Sequence, residues 1–167
     1  MKPVLNVADA KVSRTMAHGD TFEFRMAELA PLIGATQIGA NLTIVPPGKA
    51  AFPFHHHYGN EEHFFILRGS GMLRFGAETY PVKPGDYVVT PAGGPELAHQ
   101  FVNTGTEELA YLAISTLKLP EIVGYPDSAK TGARTSPERH FIVANAHLNA
   151  GYFDGEDGAQ VRALTKR

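Results

Sequence analysis

Turn-forming residues interrupt this chain at short intervals, and this spacing restricts the possible folds more than any other feature. Seventeen glycines and twelve prolines separate short stretches rich in Val, Ile, Phe, Tyr and Thr. β-Branched and aromatic residues favour strands, whereas Gly and Pro end them. Strands are predicted over 21–28, 36–45, 51–57, 62–68, 71–76, 79–82, 86–90, 97–103 and 108–117. Short strands at such regular spacing indicate an all-β sandwich or barrel.

The sequence on either side of these strands has a different character. The length of 167 residues fits one domain. We therefore predict an N-terminal arm over 1–20, a β-barrel over 21–118 and a C-terminal arm over 119–167. The C-terminal arm is rich in turn formers and charge, with one short strand predicted over 140–144. It is expected to pack on the barrel or on a partner subunit.

Two of the predicted strands are apolar on both faces. In the segments 62–67 and 109–116, alternate side chains form two sets, and both sets are largely apolar. A strand with one solvated face would instead alternate apolar and charged residues. The outer face should therefore be covered, either by the terminal arms or by a second subunit, and we favour a homodimer.

Composition excludes several classes of function. The chain has no cysteine, which rules out disulfides, thiolate zinc sites and cysteine nucleophiles. A net charge of −2 and the lack of any basic run argue against a nucleic-acid partner. No apolar run approaches 18 residues, and the first residues lack the pattern of a signal peptide. A cytoplasmic protein without membrane association is expected.

The stretch HHHYGNEEH, residues 55–63, concentrates side chains that bind metals. His55 and His57 alternate along a predicted strand, so both imidazoles point to one face and can converge on one ion. His56 must point the other way. After a tight turn, a carboxylate from Glu61 or Glu62 could complete a set of two histidines and one acid.

A second polar stretch, GDYVVTPAGGPELAHQFVN over 85–103, delivers one more histidine at the start of an apolar strand. Taken alone, His99 would be read as a capping or core histidine. Together the two stretches resemble the two motifs of the cupin superfamily over roughly residues 40–117. The first motif is matched by Gly48, His55, His57, Glu62 and Gly69. The second motif is matched by Gly85, Pro91, Gly93, His99 and Asn103.

Two spacings depart from the cupin pattern. The gap from Gly48 to His55 is one residue longer than usual, and three residues are inserted before His99. The resemblance implies a double-stranded β-helix, or jelly-roll, barrel. It also implies four inward-pointing metal ligands: His55, His57, Glu62 and His99. Such a set suits one divalent transition metal, Zn, Mn, Fe, Ni, Co or Cu, and leaves two positions open in an octahedral site.

The barrel interior is expected to be an apolar pocket for a small organic ligand. The candidate lining residues are Phe52, Phe54, Phe64, Ile66, Met72 and Phe101. Candidates for a general acid or base are Tyr58, Glu61 and Tyr111, joined by Tyr125 and Asp127 if the arm covers the pocket mouth. A phosphate group would call for arginines near the pocket, and Arg25, Arg68 and Arg74 are available.

The resemblance leaves two classes of function open. One is a metal-dependent enzyme, either an isomerase or epimerase of a sugar or sugar phosphate, or a dioxygenase or decarboxylase of a small acid. Small single-domain cupins that this chain resembles are often described as sugar-phosphate-isomerase-like. The other class is a module that binds a small carboxylate without turnover, because the stretch from His55 to Gly71 also resembles plant auxin-binding protein. Fold alone does not choose between them.

Overall fold

A computed structural model of the chain describes residues 3–136, 138–147 and 151. Strands dominate the described residues, and the remaining regular structure consists of short 3-10 turns. The strands are β1 Arg14–His18, β2 Phe22–Glu28, β3 Ile38–Val45, β4 His56–His57, β5 Glu62–Arg68, β6 Gly71–Phe75, β7 Glu78–Val82, β8 Tyr87–Thr90, β9 His99–Val102, β10 Leu109–Thr116, β11 Glu121–Tyr125, β12 Lys130–Arg134 and β13 His140–Ala144. The 3-10 turns are Val7–Asp9, Ala30–Ile33, Pro95–Leu97, Pro126–Ser128 and Asn145–His147.

Antiparallel pairing organises the strands into three sheets. The largest has the order β1-β2-β3-β10-β5-β8, a second has β7-β6-β9, and a third has β13-β12-β11-β4. Side chains of the first two sheets meet in one core, where Phe24, Ile66 and Tyr111 pack with Leu73 and Phe101. Burial of this apolar surface is the main source of stability. The all-β double-stranded β-helix predicted from the sequence is confirmed.

The structure departs from the predicted strands where prolines interrupt the chain. The predicted strand 51–57 is reduced to the two residues of β4, since Pro53 has no backbone N–H for a strand ladder. His55 instead forms an isolated bridge with His99. The predicted strand 97–103 begins only at His99, after the 3-10 turn Pro95–Leu97.

Both predicted arms contain strands that join the barrel. In the N-terminal segment, β1 pairs with β2 and becomes the edge of the largest sheet. In the C-terminal segment, β11 and β12 form a hairpin, and β11 pairs with β4. The strand predicted over 140–144 is present as β13. The last part of the predicted C-terminal arm lies outside the described residues.

Gly69 shows why a motif position needs glycine. Its φ is +72°, and an added Cβ would overlap the backbone carbonyl of Glu108. Both constraints act on the turn between β5 and β6, which fixes the register that points Glu62 inward. Within the residues described, no helix has the length and apolarity needed to cross a membrane.

Candidate metal centre

Three histidine side chains converge inside the barrel on one carboxylate oxygen, Oε2 of Glu62. The Nε2 atoms of His99, His57 and His55 lie 2.9, 3.4 and 3.8 Å from it. The ligand atoms offered by His55, Glu62 and His99 lie within 4.8 Å of one another. The structure therefore brings together the four residues that the cupin resemblance implied as ligands.

Backbone pairing holds the first and last of these histidines face to face. The amide of His99 donates to the carbonyl of His55 at 2.7 Å, and the amide of His55 donates back at 3.2 Å. Their ring centroids are 4.6 Å apart. His57 follows on β4, two residues after His55, so alternation points both imidazoles to one side.

Strand alternation also chooses between the adjacent glutamates. On β5, Glu62 shares the inner face with buried Phe64 and Ile66, while Phe65 points outward and is partly exposed. Glu61 precedes the strand, and its carboxylate lies 2.8 Å from His63 Nε2 rather than in the barrel. The inward position of Glu62 was predictable because side chains alternate along a strand.

The pKa values of His55 and His57 are shifted in opposite directions. Burial and the neighbouring His99 lower the pKa of His55 to about 3, so its imidazole is neutral. Burial also disfavours the charged form of His57, but Glu121 and Glu62 outweigh it and raise its pKa to about 9. Hydrogen bonds from His57 and His99 outweigh burial at Glu62 and hold its pKa well below the usual range. Glu62 is therefore a carboxylate at neutral pH.

The arrangement of donor atoms fits a metal ion. His55 Nδ1 lies 2.8 Å from the carbonyl oxygen of Pro53, so this nitrogen carries the proton. The Nε2 lone pair of the neutral ring then faces the Glu62 carboxylate at 3.8 Å, and two electron-rich atoms repel each other. A cation between them would turn this repulsion into two ligand bonds, and imidazole with carboxylate suits a divalent transition metal.

A further carboxylate, from Glu121 at the start of β11, supports His57 from behind. Its Oε1 lies 3.5 Å from His57 Nδ1, and the residue is 5% exposed. The Glu121 side chain also accepts hydrogen bonds from the Asn60 amide and from the backbone N–H of Gly59. A carboxylate behind a metal-binding imidazole fixes the ring and raises its basicity.

His56 points away from the cluster, as strand alternation predicted, and packs inside the fold. Its ring is buried against β11, and its Nδ1 lies 2.9 Å from the carbonyl oxygen of Gly93. A Cβ at Gly124 would overlap this imidazole. The middle histidine therefore packs β4 against its neighbouring strand β11.

Two cavities meet at the cluster, and His57, Glu62 and Arg134 line both. The barrel cavity has a volume of about 430 Å³. The second cavity, of about 440 Å³, opens towards the segment that joins β10 to β11. The barrel cavity is lined by Arg14, Asn41, Phe52, His55, His57, Glu62, Phe64, His99, Gln100, Phe101, Tyr111, Ala113, Tyr125 and Arg134.

The candidate pocket residues divide into two groups. Phe52, Phe64 and Phe101 line the barrel cavity. The expectation for the other three requires correction, because Phe54, Ile66 and Met72 line neither described cavity.

A different feature of the packing keeps each of these three residues out of the cavity lining. Phe54 lies under the guanidinium of Arg74, whose Cζ is 4.1 Å from the ring centroid. Ile66 is fully buried in the core, beyond the floor of the cavity. Met72 lies on the opposite face of β6 from buried Leu73.

Of the candidate acid–base residues, some line the barrel cavity and others lie outside it. Tyr58 is 54% exposed and packs on His56, outside both cavities. Glu61 is half-exposed and engaged with His63, so it also lies outside. Tyr111 and Tyr125 line the barrel cavity, and burial raises the pKa of both phenols. At neutral pH both therefore hold their protons.

Sequence reasoning missed three residues of this region: Glu121, Arg14 and Arg134. All lie in the segments predicted to be arms, where residue spacing gives no indication of tertiary contact. The one available signal is that Glu121 opens a β-branched stretch after Pro120, where an isolated strand acid could point inward.

Comparison with known proteins agrees with this fold. The family model for the cupin domain matches residues 41–115. A crystal structure of a candidate sugar phosphate isomerase from Acidithiobacillus ferrooxidans aligns with a TM-score of 0.78 and 26% identity, covering 90% of this chain and 97% of that one. A cupin-superfamily sugar phosphate isomerase from Silicibacter pomeroyi aligns with a TM-score of 0.77 at 22% identity, covering 90% and 98% of the two chains.

A curated relative gives a different functional name. An oxalate-binding protein from Thermotoga maritima is 34% identical over 73 residues, which cover 44% of this chain and 57% of that protein. An uncharacterized protein from Methanocaldococcus jannaschii is 36% identical over 72 residues, which cover 43% of this chain and 54% of that protein. The chain thus spans little more than half the length of the curated relatives that it matches.

Proposed function

Since this chain contains a cupin domain, we propose that it binds one divalent transition metal and, at that metal, a small organic acid or sugar derivative. The proposed ligands are His55, His57, Glu62 and His99. The proposed reaction is isomerisation or epimerisation of a sugar or sugar phosphate. The similarity to a candidate sugar phosphate isomerase over 90% of the chain supports this choice of reaction.

One observation supports the metal site above all others. Three imidazole Nε2 atoms approach a single ionised carboxylate oxygen, at the wall of a cavity partly lined by aromatic rings. Without a cation, the neutral His55 would direct its lone pair at that carboxylate. This arrangement costs free energy unless a positive charge lies between the two groups.

The chain's own residues would divide the remaining tasks. A bound metal would polarise a carbonyl or hydroxyl oxygen of the substrate. Phe64 and Phe101 line the cavity and would shield that side of a bound substrate from water. Tyr111 and Tyr125 keep their protons, so each can donate a hydrogen bond to a substrate oxygen.

A second candidate function is binding of a small carboxylate without turnover, or its decarboxylation or oxidation. The protonated tyrosines favour this candidate, because isomerisation by proton transfer needs a base and both phenols hold their protons. The match to an oxalate-binding protein supports the same class of ligand. A product from a sugar or sugar phosphate panel would favour the isomerase, whereas tight oxalate binding with no product would favour the binding module.

Metal content is the first test. Wild-type protein purified without a nickel column should contain one equivalent of a transition metal. Glu62→Ala should lose that metal because it removes the carboxylate on which all three imidazoles converge. Glu61→Ala is the matched control, since its carboxylate contacts His63 outside the cavity. Elemental analysis that finds the metal in Glu62→Ala but not in Glu61→Ala would overturn the ligand assignment.

We also propose that the protein is a homodimer. The outer face of the largest sheet is apolar where Phe65 lies beside Leu112 and Tyr87 in register, and Val89 lies beside His63. Phe65, Leu67, Tyr87 and Val89 are all more than one third exposed. A contiguous exposed apolar surface of this kind is typical of an interface.

A further inference from the structure

The arginines considered for a phosphate group are all engaged elsewhere. Arg25 and Arg68 both pair with Glu108 on the outer side of the barrel. Arg74 pairs with Asp127 and lies over the ring of Phe54. Each of these guanidinium groups already has a carboxylate partner, so none is available to the cavity.

Two other arginines, which the sequence did not single out, line the barrel cavity. Arg14 comes from β1 at the edge of the largest sheet, and Arg134 comes from β12 in the C-terminal sheet. Within the part of the chain that the structure describes, neither side chain makes a hydrogen bond or an ion pair. Both are exposed, which places them at the mouth of the cavity rather than in its floor.

Packing connects both cations to the walls of the cavity that holds the histidine cluster. Arg14 has its Cζ 5.8 Å from the ring centroid of Phe24, and Phe24 packs on Phe52 of the cavity wall at 4.6 Å between centroids. Arg134 lines both cavities together with His57 and Glu62. Its neighbour in register, Glu121, is engaged with His57 and does not neutralise it.

The net charge of the groups that line the cavity indicates how many negative charges the ligand carries. Among the described residues that line it, Glu62 is the one carboxylate, and the proposed metal uses that charge. A divalent ion with Glu62 leaves one positive charge, and the two guanidinium groups add two more. A ligand with a single carboxylate would balance one of these three charges, whereas a second carboxylate would balance two and a phosphate dianion all three.

We propose that Arg14 and Arg134 bind a second anionic group, a phosphate or a carboxylate, at the far end of the ligand that reaches the metal. This inference rests on the proposed function, because it takes the metal as the site of the first group. Guanidinium groups recognise both anions through paired N–H donors. The ligand is therefore a small molecule with two anionic ends, and the two arginines determine its specificity.

Matched ligand pairs test this inference by calorimetry on the metal-loaded full chain. The probes are glycolate with 2-phosphoglycolate, and propionate with succinate. In wild-type protein at least one doubly charged member should bind about tenfold or more tightly than its partner. Arg14→Ala and Arg134→Ala should each reduce that preference and leave metal content and the affinity for the singly charged member unchanged. Preference for 2-phosphoglycolate alone would identify a phosphate ester, and preference for succinate alone a dicarboxylate.

Arg139→Ala is the control, because Arg139 lies outside the cavity and makes no ion pair within the described chain. It should keep the full preference. Wild-type protein that holds its metal and binds glycolate, but shows no preference for either doubly charged probe, would overturn this inference and leave the proposed function intact. Protein that holds no metal would overturn both.

Discussion

At the scale of single residues, the proposed site depends on a carboxylate that is not itself a proposed metal ligand. Glu121 is buried, lies behind His57 and is held by Asn60 and Gly59. At 3.5 Å from His57 Nδ1 it can attract and orient the imidazole without being a proposed ligand itself. A residue of this kind is a positioning residue, and its effect should appear in metal affinity more than in folding.

Glu121→Gln should weaken metal binding by about tenfold or more, because an amide neither attracts nor orients the His57 ring as a carboxylate does. The measurement is a competition titration against a chelator of known affinity. Thermal unfolding of the metal-free variant separates this effect from a loss of stability. Glu108→Gln is the control, since Glu108 pairs with Arg25 and Arg68 far from the site. Unchanged affinity in Glu121→Gln would contradict the positioning role.

The histidine pKa values predict how stability depends on pH in chelator-treated protein. His55, with its pKa lowered to about 3 against 6.5 in the unfolded chain, makes folding less favourable as pH falls below 6.5. His57, with its pKa raised to about 9, contributes stability below 6.5 that is lost as pH rises towards 9. These two groups together place maximal stability near pH 6.5.

Urea unfolding across this pH range is the measurement, with slopes of at most about 1.4 kcal/mol per pH unit for each group. Metal-loaded protein should behave differently above pH 6.5. Its stability should stay nearly level with pH there, because the ion holds His57 deprotonated in the folded protein and the unfolded chain has also lost that proton above 6.5. A metal-free protein that gains stability from pH 6.5 to 9 would contradict the assignment of a charged His57.

At the scale of elements, β4 is the strand on which the site depends. It has only two residues, yet His57 points into the barrel and His56 packs against β11. Its register places His56 opposite Gly124 and His57 opposite Val123. The absence of a side chain at Gly124 is what allows the His56 ring to lie on β11.

Gly124→Ala should lower the free energy of unfolding by about 1–3 kcal/mol, because its Cβ would overlap the buried His56 ring. Gly132→Ala, on the neighbouring strand β12, is the matched control, since the nearest atoms to its Cβ lie at 3.4 Å. Urea unfolding measures both variants. Equal stabilities for the two would show that β4 and β11 do not pack as described.

The sequence predicted what depends on local alternation and missed what depends on distant pairing. The inward direction of Glu62 and the outward direction of His56 both follow from neighbours one or two positions away. Glu121 lies 64 residues beyond His57, and only the pairing of β11 with β4 brings them together. Met72 was misplaced for a related reason, because nothing in a short apolar strand shows which of its faces is covered.

At the scale of the whole molecule, the terminal segments contribute to the barrel and to its cavity. The edge strand β1 supplies Arg14 to the cavity lining, and the C-terminal sheet supplies Tyr125 and Arg134. Their composition was typical of exposed arms, so residue spacing offered no reason to place them near the proposed metal. The motifs predicted the centre of the site, and the periphery became visible only with the fold.

The proposed dimer makes a prediction at this same scale. Phe65→Glu should convert a dimer to a monomer, because it places a charge in the middle of the apolar outer face. Ile142→Glu is the control, since Ile142 is 52% exposed on β13 in a different sheet. Sedimentation velocity measures the mass of each species. A monomeric wild-type protein would contradict the dimer.

The attachment of β4 to β11 limits how the site could be transplanted. A fragment ending at residue 118 would keep His55, His57, Glu62 and His99, and it would satisfy the family match over 41–115. It would nevertheless leave β4 without its neighbouring strand and His57 without the carboxylate behind it. The smallest portable unit of the proposed metal centre is therefore larger than the segment matched by the family model, and it extends at least through β11.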